Sequence, residues 1–194
     1  MRVFAALEPS EAALDHLTRA LELLGSPGPG RTVWIPRSHW HLTVAFYGEV
    51  PTGRIPSLTD DIAAATRELS PFVCALAGAG QFRHSTSWVG AQVDERAWRA
   101  LVKAMAPSEL GLGGRADPRA RNRPHVTVSR ARGEAALTHA MAALAVYRGP
   151  AWTAREVVVF ESRLGQGAGG HPLYVPLTRC PFGGGDDAVV PTAG

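Results

Sequence analysis

The sequence has 194 residues, of which 45% are apolar and 19% charged, and its formal net charge is +3. This length allows one domain or two closely fused lobes with a real hydrophobic core, and the composition excludes a disordered chain. A charge of +3 favours an encounter with an anionic ligand. It is nevertheless far below that of a histone-like or polybasic nucleic-acid binder.

The chain carries no sequence signal for export or membrane insertion. The apolar run at residues 3–7 is too short for a signal peptide, and no stretch approaches the roughly 20 apolar residues that span a bilayer. Cys74 and Cys180 belong to no Cys/His ligand cluster, so we expect two reduced thiols rather than a disulfide. We therefore expect a cytoplasmic protein that does not bind a membrane.

Hydrophobic periodicity predicts strands and helices along the first part of the chain. The predicted strands are 3–7, 33–35, 41–47, 72–76 and 88–93, and the predicted helices are 11–24, 55–69 and 95–105. Ser10 is the expected N-cap of the first helix, and a glycine- and proline-rich loop at 25–30 ends it.

The second part of the chain repeats this order of elements, with predicted strands at 125–129, 156–160 and 173–177 and a helix at 134–146. The interval from His41 to Phe72 is 31 residues, and so is the interval from His125 to Glu156. We interpret this as a duplication that places two equivalent strands across a pseudo-twofold axis, facing one ligand. The glycine-rich stretch at 165–170 is not a P-loop, since no Lys-Ser/Thr follows it.

The pattern His-x-Thr occurs four times, beginning at His16, His41, His84 and His125. The copy at His16 lies on a predicted helix, where residues two apart point to nearly opposite sides, and the copy at His84 lies in a predicted hairpin turn. The copies at His41 and His125 alternate with apolar residues, so that His and Thr share one strand face. A single such strand more often carries an incidental histidine, but two at equivalent places in a repeat favour function.

The residues around these two copies resemble the two motifs of a known enzyme family. The stretch 41–49, His-Leu-Thr-Val-Ala-Phe-Tyr-Gly-Glu, resembles the first motif of the bacterial RNA 2′,3′-cyclic phosphodiesterases, or 2′–5′ RNA ligases, of the 2H phosphoesterase superfamily. The stretch 123–130, Arg-Pro-His-Val-Thr-Val-Ser-Arg, is similar to the second. The resemblance extends from residue 2 to 178. Tyr47 departs from it, since an aliphatic residue is usual there, and we expect Tyr47 to alter the pocket wall.

The resemblance implies an α+β fold of two pseudo-symmetric lobes, each an antiparallel sheet backed by helices, with the active-site groove between them. Residues 1–181 are then one bilobal domain and residues 182–194 a flexible C-terminal tail. The resemblance also implies an enzyme that needs no cofactor and no metal ion, and we expect a monomer.

The implied reaction is hydrolysis of RNA 2′,3′-cyclic phosphate ends to a 2′-phosphate, with 2′–5′ RNA ligation as a side activity. Histidine suits both proton transfers, because its unperturbed pKa is about 6.5. By the family's usual assignment His41 is the proton donor and His125 the general base. Thr43 and Thr127 would bind phosphate oxygens or the water, and Arg130 would neutralise phosphate charge. The residues alone leave open which histidine is the base.

Other interpretations of the same residues stay open. The substrate is alternatively a small cyclic nucleotide or a 2′–5′ linked oligonucleotide, and the protein is alternatively a non-catalytic binder of RNA ends. Trp34, Trp40 and Tyr174 are candidates for stacking on a nucleobase, although packing is the commoner role of each. His39 and His41 form His-Trp-His, but no carboxylate or cysteine lies at ligand spacing for a metal site.

Overall fold

The computed structural model describes residues 1–25, 33–82, 86–107, 109–112, 123–130 and 138–184, without the side chains of 33 and 138–141. The strands within these ranges are β1 (Arg2–Leu7), β2 (Val33–Trp34), β3 (Leu42–Glu49), β4 (Phe72–Phe82), β5 (Thr86–Val93), β6 (His125–Arg130), β7 (Arg148–Ala154), β8 (Glu156–Arg163) and β9 (Leu173–Pro181). The α-helices are α1 (Glu11–Leu24), α2 (Ile55–Arg67), α3 (Glu95–Ala104) and α4 (Thr138–Ala145).

The strands form two antiparallel sheets. The first sheet has the order β3-β1-β8-β9 and the second has the order β2-β6-β5-β4-β7. When β3 and β6 are taken as equivalent, β1 corresponds to β5, β8 to β4 and β9 to β7, and β2 is an additional edge strand. The predicted α+β architecture of two pseudo-symmetric antiparallel lobes is therefore confirmed.

The two repeated halves of the sequence do not correspond to the two lobes. After β3 in the first sheet, the chain passes through α2 into β4 of the second sheet. After β6 in the second sheet, it passes through α4 and β7 into β8 of the first. The two equal intervals thus lead to equivalent strands, but in opposite sheets. Each half of the sequence contributes a central strand to the lobe of the other half.

Both lobes share one hydrophobic core, which includes the apolar faces of the helices. In α1 the buried residues include Leu17 and Leu21, at helical spacing, and burial of each side chain stabilises the fold by about 1.5–3 kcal/mol. The side-chain oxygen of Ser10 caps this helix by accepting from the N–H of Ala13 at 3.3 Å. Helix α1 contacts β7 in the second sheet and α3 contacts β3 in the first, so the helices tie the lobes together.

The largest differences from the sequence prediction are in the second sheet. Strand β4 continues past Leu76, where the predicted strand ended, to Phe82. Strand β7 was not predicted at all, because Arg148-Gly149-Pro150 is typical of a loop. It is an edge strand of its sheet, a place where proline is tolerated because one side of the strand needs no ladder hydrogen bonds.

The described residues end at 184, within the predicted C-terminal tail of 182–194. Phe182 is buried, and its ring stacks on Phe72 with centroids 6.0 Å apart. Residues 185–194 lie outside the described residues, so the boundary of the domain at 181 stays a prediction. The predicted helix start at Glu134 also lies outside them.

The two cysteines, Cys74 on β4 and Cys180 on β9, are buried free thiols. None of the helices within the described ranges is long and apolar enough to cross a membrane.

Candidate active site

The strands β3 and β6, one from each sheet, contact one another, and the charge of His125 acts on His41, so the two His-x-Thr segments lie near each other. His41 directly precedes β3, and His125 is the first residue of β6. Both histidines and both threonines, Thr43 and Thr127, are half-buried, whereas the apolar residue between each His and Thr is fully buried. The alternation predicted from the sequence therefore places each His/Thr pair on the open face of its strand, which we call the groove face.

A β-bulge follows the threonine of β3 and decides which later side chain reaches the groove. Consecutive residues of β1 pair with Thr43 and with the residue after Val44, so Val44 is the extra residue of the bulge. Phe46 then pairs with Phe4 and returns to the groove face. Tyr47 falls on the opposite face.

The strand β6 carries the same irregularity. Consecutive residues of β5 pair with Thr127 and Ser129, so Val128 is the extra residue here. Arg130 pairs with Thr86 and returns to the groove face. Arg130 and Phe46 therefore occupy equivalent positions in the two lobes, each five residues after its histidine.

The expectation that Tyr47 alters the pocket wall is wrong. Tyr47 packs against the main core, and burial raises the pKa of its hydroxyl. Strict alternation from Thr43 would have placed it in the groove, but the bulge reverses the alternation and brings Phe46 there.

His41 lies against an aromatic wall formed by the groove face of the first sheet. Its ring centroid is 4.9 Å from that of Phe4 and 6.3 Å from that of Phe160. Tyr174 contacts the imidazole edge-on at 5.4 Å. These apolar neighbours remove water from the ring and disfavour its charged form.

The pKa of His41 is lowered from 6.5 to about 4, mainly by burial and to a smaller extent by the charges of His39 and His125. A hydrogen bond with the backbone of His39 opposes this change. Because a bond that raises the pKa must stabilise the protonated ring, the backbone group is the carbonyl of His39 and it accepts from the imidazole. The coupling to His125 shows that the two catalytic candidates interact through space.

His125 is oriented in the same manner. Its Nδ1 lies 2.8 Å from the carbonyl oxygen of Arg123, and a carbonyl can only accept, so Nδ1–H is the donor. Nδ1 is therefore the protonated nitrogen of the neutral ring. The ring also packs edge-on against Phe82 at 5.0 Å and in a tilted arrangement against Trp88 at 5.9 Å. Arg123 thus acts on the site through its backbone, while its side chain is exposed.

The position of Trp88 depends on a glycine in the neighbouring strand. Gly80 lies opposite Trp88 in the β4–β5 pairing. A Cβ atom at Gly80 would lie 2.3 Å from the indole, which is far closer than real atoms approach. The missing side chain at this position therefore makes room for the ring that supports His125.

Arg130 reaches from the second lobe toward Tyr174 of the first. Burial raises the pKa of Tyr174, and the positive charges of Arg130 and Arg2 oppose that rise. Arg130 forms no ion pair with any residue in the described part of the chain.

Of the three aromatic residues considered for stacking, only Tyr174 lies at the site. Trp40 is buried and donates from Nε1 to the carbonyl of Ile35 at 3.0 Å. Trp34 donates from Nε1 to the carbonyl of Gly25 at 2.9 Å and packs against the core. Both tryptophans thus have packing roles.

The other histidines do not form a second site. His16 lies in α1 as predicted, where its Nδ1 is 3.0 Å from the hydroxyl of Tyr147. His84 lies outside the described residues. His39 Nε2 lies 2.6 Å from the carbonyl oxygen of Pro172. Across the described ranges, no three His, Cys, Asp or Glu side chains are grouped so that they could hold a metal ion.

A cavity of about 450 Å³ lies beside β5, lined by residues of β5 and α3 together with Arg123 and Pro124. Neither His41 nor His125 lines this cavity. A reaction that uses both rings therefore takes place in the open groove and not in the cavity.

The aromatic supports of the two histidines were not found from the sequence. Phe4 lies on β1 and Trp88 on β5, each in the strand paired with a His-x-Thr strand. In the sequence each is an aromatic residue in a strand beside a polar or small neighbour, and many core residues fit the same description. Their role follows from strand pairing over long sequence distances, which a single sequence does not reveal.

Comparison with known proteins places this geometry in a family. Residues 8–166 match the model of the 2′-5′ RNA ligase superfamily. The chain is 30% identical to the RNA 2′,3′-cyclic phosphodiesterase of Geobacillus stearothermophilus, in a match that covers 95% of this chain and 58% of that protein. It therefore spans somewhat more than half of that relative. It is 26% identical to the RNA 2′,3′-cyclic phosphodiesterase of Methanothermobacter thermautotrophicus, over 69% of this chain and 72% of that protein.

The fold is also that of a solved structure. Apo LigT of E. coli superposes with a TM-score of 0.71 at 23% identity, covering 94% of this chain and 97% of LigT. The expected family assignment is confirmed by the family match, and the expected fold by this superposition. The chain belongs to the 2′-5′ RNA ligase superfamily of 2H phosphoesterases.

Proposed function

We propose that this chain is a monomeric, cytoplasmic RNA 2′,3′-cyclic phosphodiesterase that converts a terminal cyclic phosphate to a 2′-phosphate without a metal ion or cofactor. The observation that carries the proposal is the pair His41 and His125, which face one groove from equivalent strands and are each held by the carbonyl two residues earlier. The names of the relatives at 30% and 26% identity support the choice of substrate.

In this mechanism His125 is the general base. Its Nδ1–H is bound to the carbonyl of Arg123, so in the neutral ring Nε2 carries the lone pair that faces the groove. Nε2 takes a proton from water as the water oxygen attacks phosphorus. The bond between phosphorus and the ribose 3′-oxygen breaks in line. His41 gives its proton to that oxygen, which leaves a 3′-hydroxyl and a 2′-phosphate.

The low pKa of His41 gives substrate binding a specific role. With a pKa of about 4, the ring is neutral at neutral pH in the free protein and has no proton to donate. A bound cyclic phosphate brings a negative charge into a site with little water, and such a charge raises the pKa of a neighbouring imidazole. His41 therefore takes up its proton together with the substrate.

Thr43, Thr127 and Arg130 bind the phosphate in this proposal. The threonines lie on the groove face beside their histidines, where a hydroxyl can donate to a non-bridging oxygen without adding charge. Arg130 supplies a charge that no carboxylate in the described ranges occupies. Ligation of 2′–5′ RNA, the reverse of a related cleavage, is the expected side activity.

Hydrolysis of an RNA oligonucleotide that ends in a 2′,3′-cyclic phosphate tests the proposed function. The reaction is run with EDTA, and the product is resolved as a 2′- or a 3′-phosphate. We expect the 2′-phosphate at an undiminished rate. A rate lost in EDTA and restored by a metal ion would contradict the metal-independent mechanism, and no turnover by folded protein would exclude RNA ends as substrate.

A modified substrate tests the assignment of acid and base. Replacing the bridging 3′-oxygen by sulfur gives a leaving group that departs as a thiolate, since a thiol has a pKa of about 8.5, and needs no proton from the protein. We expect this substrate to restore hydrolysis by His41→Ala but not by His125→Ala. Rescue of His125→Ala instead would reverse the two roles.

A further inference from the structure

The aromatic wall at His41 continues outward to an exposed ring. Phe46 has 44% of its surface exposed, and its ring centroid lies 5.8 Å from that of Phe4. Phe4 in turn lies 4.9 Å from His41. Phe46 thus presents aromatic surface to solvent on the same sheet face as a catalytic candidate, where a ligand that extends out of the site could contact it.

The cation Arg2 lies on the same face. Arg2 is two residues before Phe4 in β1, and successive odd or even residues of a strand share a face. Its charge acts on the hydroxyl of Tyr174. Glu49 lies opposite Arg2, but its carboxylate is 3.7 Å from the amino group of Met1. Arg2 itself has no ion pair with any described residue, whereas the following arginines do: Arg37, Arg99, Arg163 and Arg179.

The two equivalent positions after the bulges carry side chains that suit different parts of a ligand. Arg130 and Phe46 hold the same position after the bulge in their two lobes. A guanidinium at that position can bind the reacting phosphate, whereas a phenyl ring cannot. An exposed aromatic face instead suits a nucleobase, since every base has a π-face that can stack. The unpaired Arg2 beside it suits the phosphodiester that follows such a base.

We propose that Phe46 and Arg2 form a subsite for the nucleotide that precedes the reacting end of an RNA, with its base stacked on Phe46 and its linking phosphate bound by Arg2. The inference rests on the proposed function and adds a binding site for the nucleotide before the reacting end. The enzyme favours the ends of oligonucleotides over cyclic mononucleotides, because a mononucleotide leaves this subsite empty.

Four substrates isolate the two contacts. They are adenosine 2′,3′-cyclic phosphate, the dinucleotide ApA ending in a 2′,3′-cyclic phosphate, the same dinucleotide without its 5′ base, and the same dinucleotide with an uncharged methylphosphonate linkage. We expect kcat/KM for the dinucleotide to exceed that for the mononucleotide by about tenfold or more, as stacking of one base allows. Removing the 5′ base or the linkage charge should each reduce this preference.

Substitutions should remove the same contacts from the protein side. Phe46→Ala should lower the dinucleotide-to-mononucleotide preference about tenfold and make the enzyme insensitive to loss of the 5′ base, while Phe46→Tyr keeps the preference. Arg2→Gln should make the enzyme insensitive to the charge of the linkage between the two nucleotides. Leu23→Ala, at an exposed apolar residue of α1, is the matched control and should leave the preference unchanged.

Three results would overturn the inference: equal kcat/KM for mononucleotide and dinucleotide, an equal loss on both substrates in Phe46→Ala, or a preference that survives both substitutions. If the parent protein hydrolyses no cyclic phosphate, the proposed function fails and binding decides the inference separately. In that case we expect ApA ending in a 2′-phosphate to bind more tightly than adenosine 2′-phosphate, and Phe46→Ala to remove the difference. Equal affinities would reject the subsite as well.

Discussion

The Nδ1 atom of His125 lies 2.8 Å from the carbonyl oxygen of Arg123, two residues earlier in the chain. His41 makes the corresponding bond to the backbone of His39, also two residues earlier. Each ring is therefore oriented by the backbone at the entry to its own strand. In His125 the carbonyl of Arg123 favours the tautomer with the proton on Nδ1.

Gly80→Ala should damage catalysis through Trp88. The added Cβ would lie 2.3 Å from the indole, so the ring must move, and it supports His125. We expect a stability cost of about 1–3 kcal/mol and a fall in kcat of up to about 100-fold, since a misplacement near 1 Å can have that effect. Urea unfolding and steady-state kinetics measure the two changes.

Gly53→Ala is the matched control, because a Cβ atom at Gly53 meets nothing within 4 Å. It should leave both quantities at the parent values. A Gly80→Ala protein with the parent kcat would show that the position of Trp88 does not matter to His125.

How far the sequence predicts this structure depends on the range of the interaction concerned. The exact span of α1 followed from leucine spacing and the Ser10 cap, which are local. The pairing of His with Thr on one face likewise followed from strand alternation. The bulge after Thr43 could not be predicted, because Val44, Ala45 and Phe46 are all apolar and fit either face. Only the pairing of β3 with β1 shows that Phe46, and not Tyr47, lies on the groove face.

The exchange of strands between lobes was also beyond the sequence. Equal intervals from His41 to Phe72 and from His125 to Glu156 indicated a repeat, but spacing says nothing about which sheet a strand joins. The edge strand β7 escaped prediction because Pro150 is typical of a loop, and only its place at the sheet edge makes proline acceptable.

His41 should make the fold less stable in acid. Its pKa is about 4 in the folded protein and about 6.5 in the unfolded chain, so between these values the unfolded chain binds more protons. The free energy of unfolding therefore falls as the pH drops from 6.5 to 4, by about 3 kcal/mol at most. Urea unfolding at pH 7 and at pH 4 measures this fall.

His41→Asn removes the titrating group and should reduce that pH-dependent loss. His171→Asn is a suitable control, because it changes a half-buried histidine on the loop that precedes β9. If His41→Asn loses as much stability between pH 7 and 4 as the parent, the ring is not held neutral by the fold.

Arg130→Gln should weaken binding of the transition state, because it removes a charged hydrogen bond to phosphate. Such bonds are worth about 1.5–3 kcal/mol, which corresponds to a fall in kcat/KM of about 10- to 150-fold. Arg130→Lys keeps the charge but not the planar fork and should fall between. Arg99→Gln, at an exposed arginine paired with Glu95 on α3, serves as the control. A kcat/KM for Arg130→Gln within twofold of the parent would remove Arg130 from the site.

Thr43→Val and Thr127→Val should each reduce kcat while preserving the strands, because valine has the same shape and a strong β-preference. Loss of one neutral hydrogen bond, about 0.5–1.5 kcal/mol, corresponds to a fall of about 2- to 12-fold. Circular dichroism checks the fold and single-turnover kinetics check the rate. No change in either variant would mean that the hydroxyls do not contact the phosphate in the transition state.

The central claim is that His41 and His125 work as a pair on one phosphate. The most direct test is single-turnover hydrolysis of an RNA that ends in a cyclic phosphate, measured with the two alanine variants and with their double variant. We predict that His41→Ala and His125→Ala each lower the rate by about 10²–10⁴-fold, as loss of a general acid or base does. The double variant should be little slower than the worse single variant, since residues that act as a unit are not additive. A single variant that keeps the parent rate would contradict the claim.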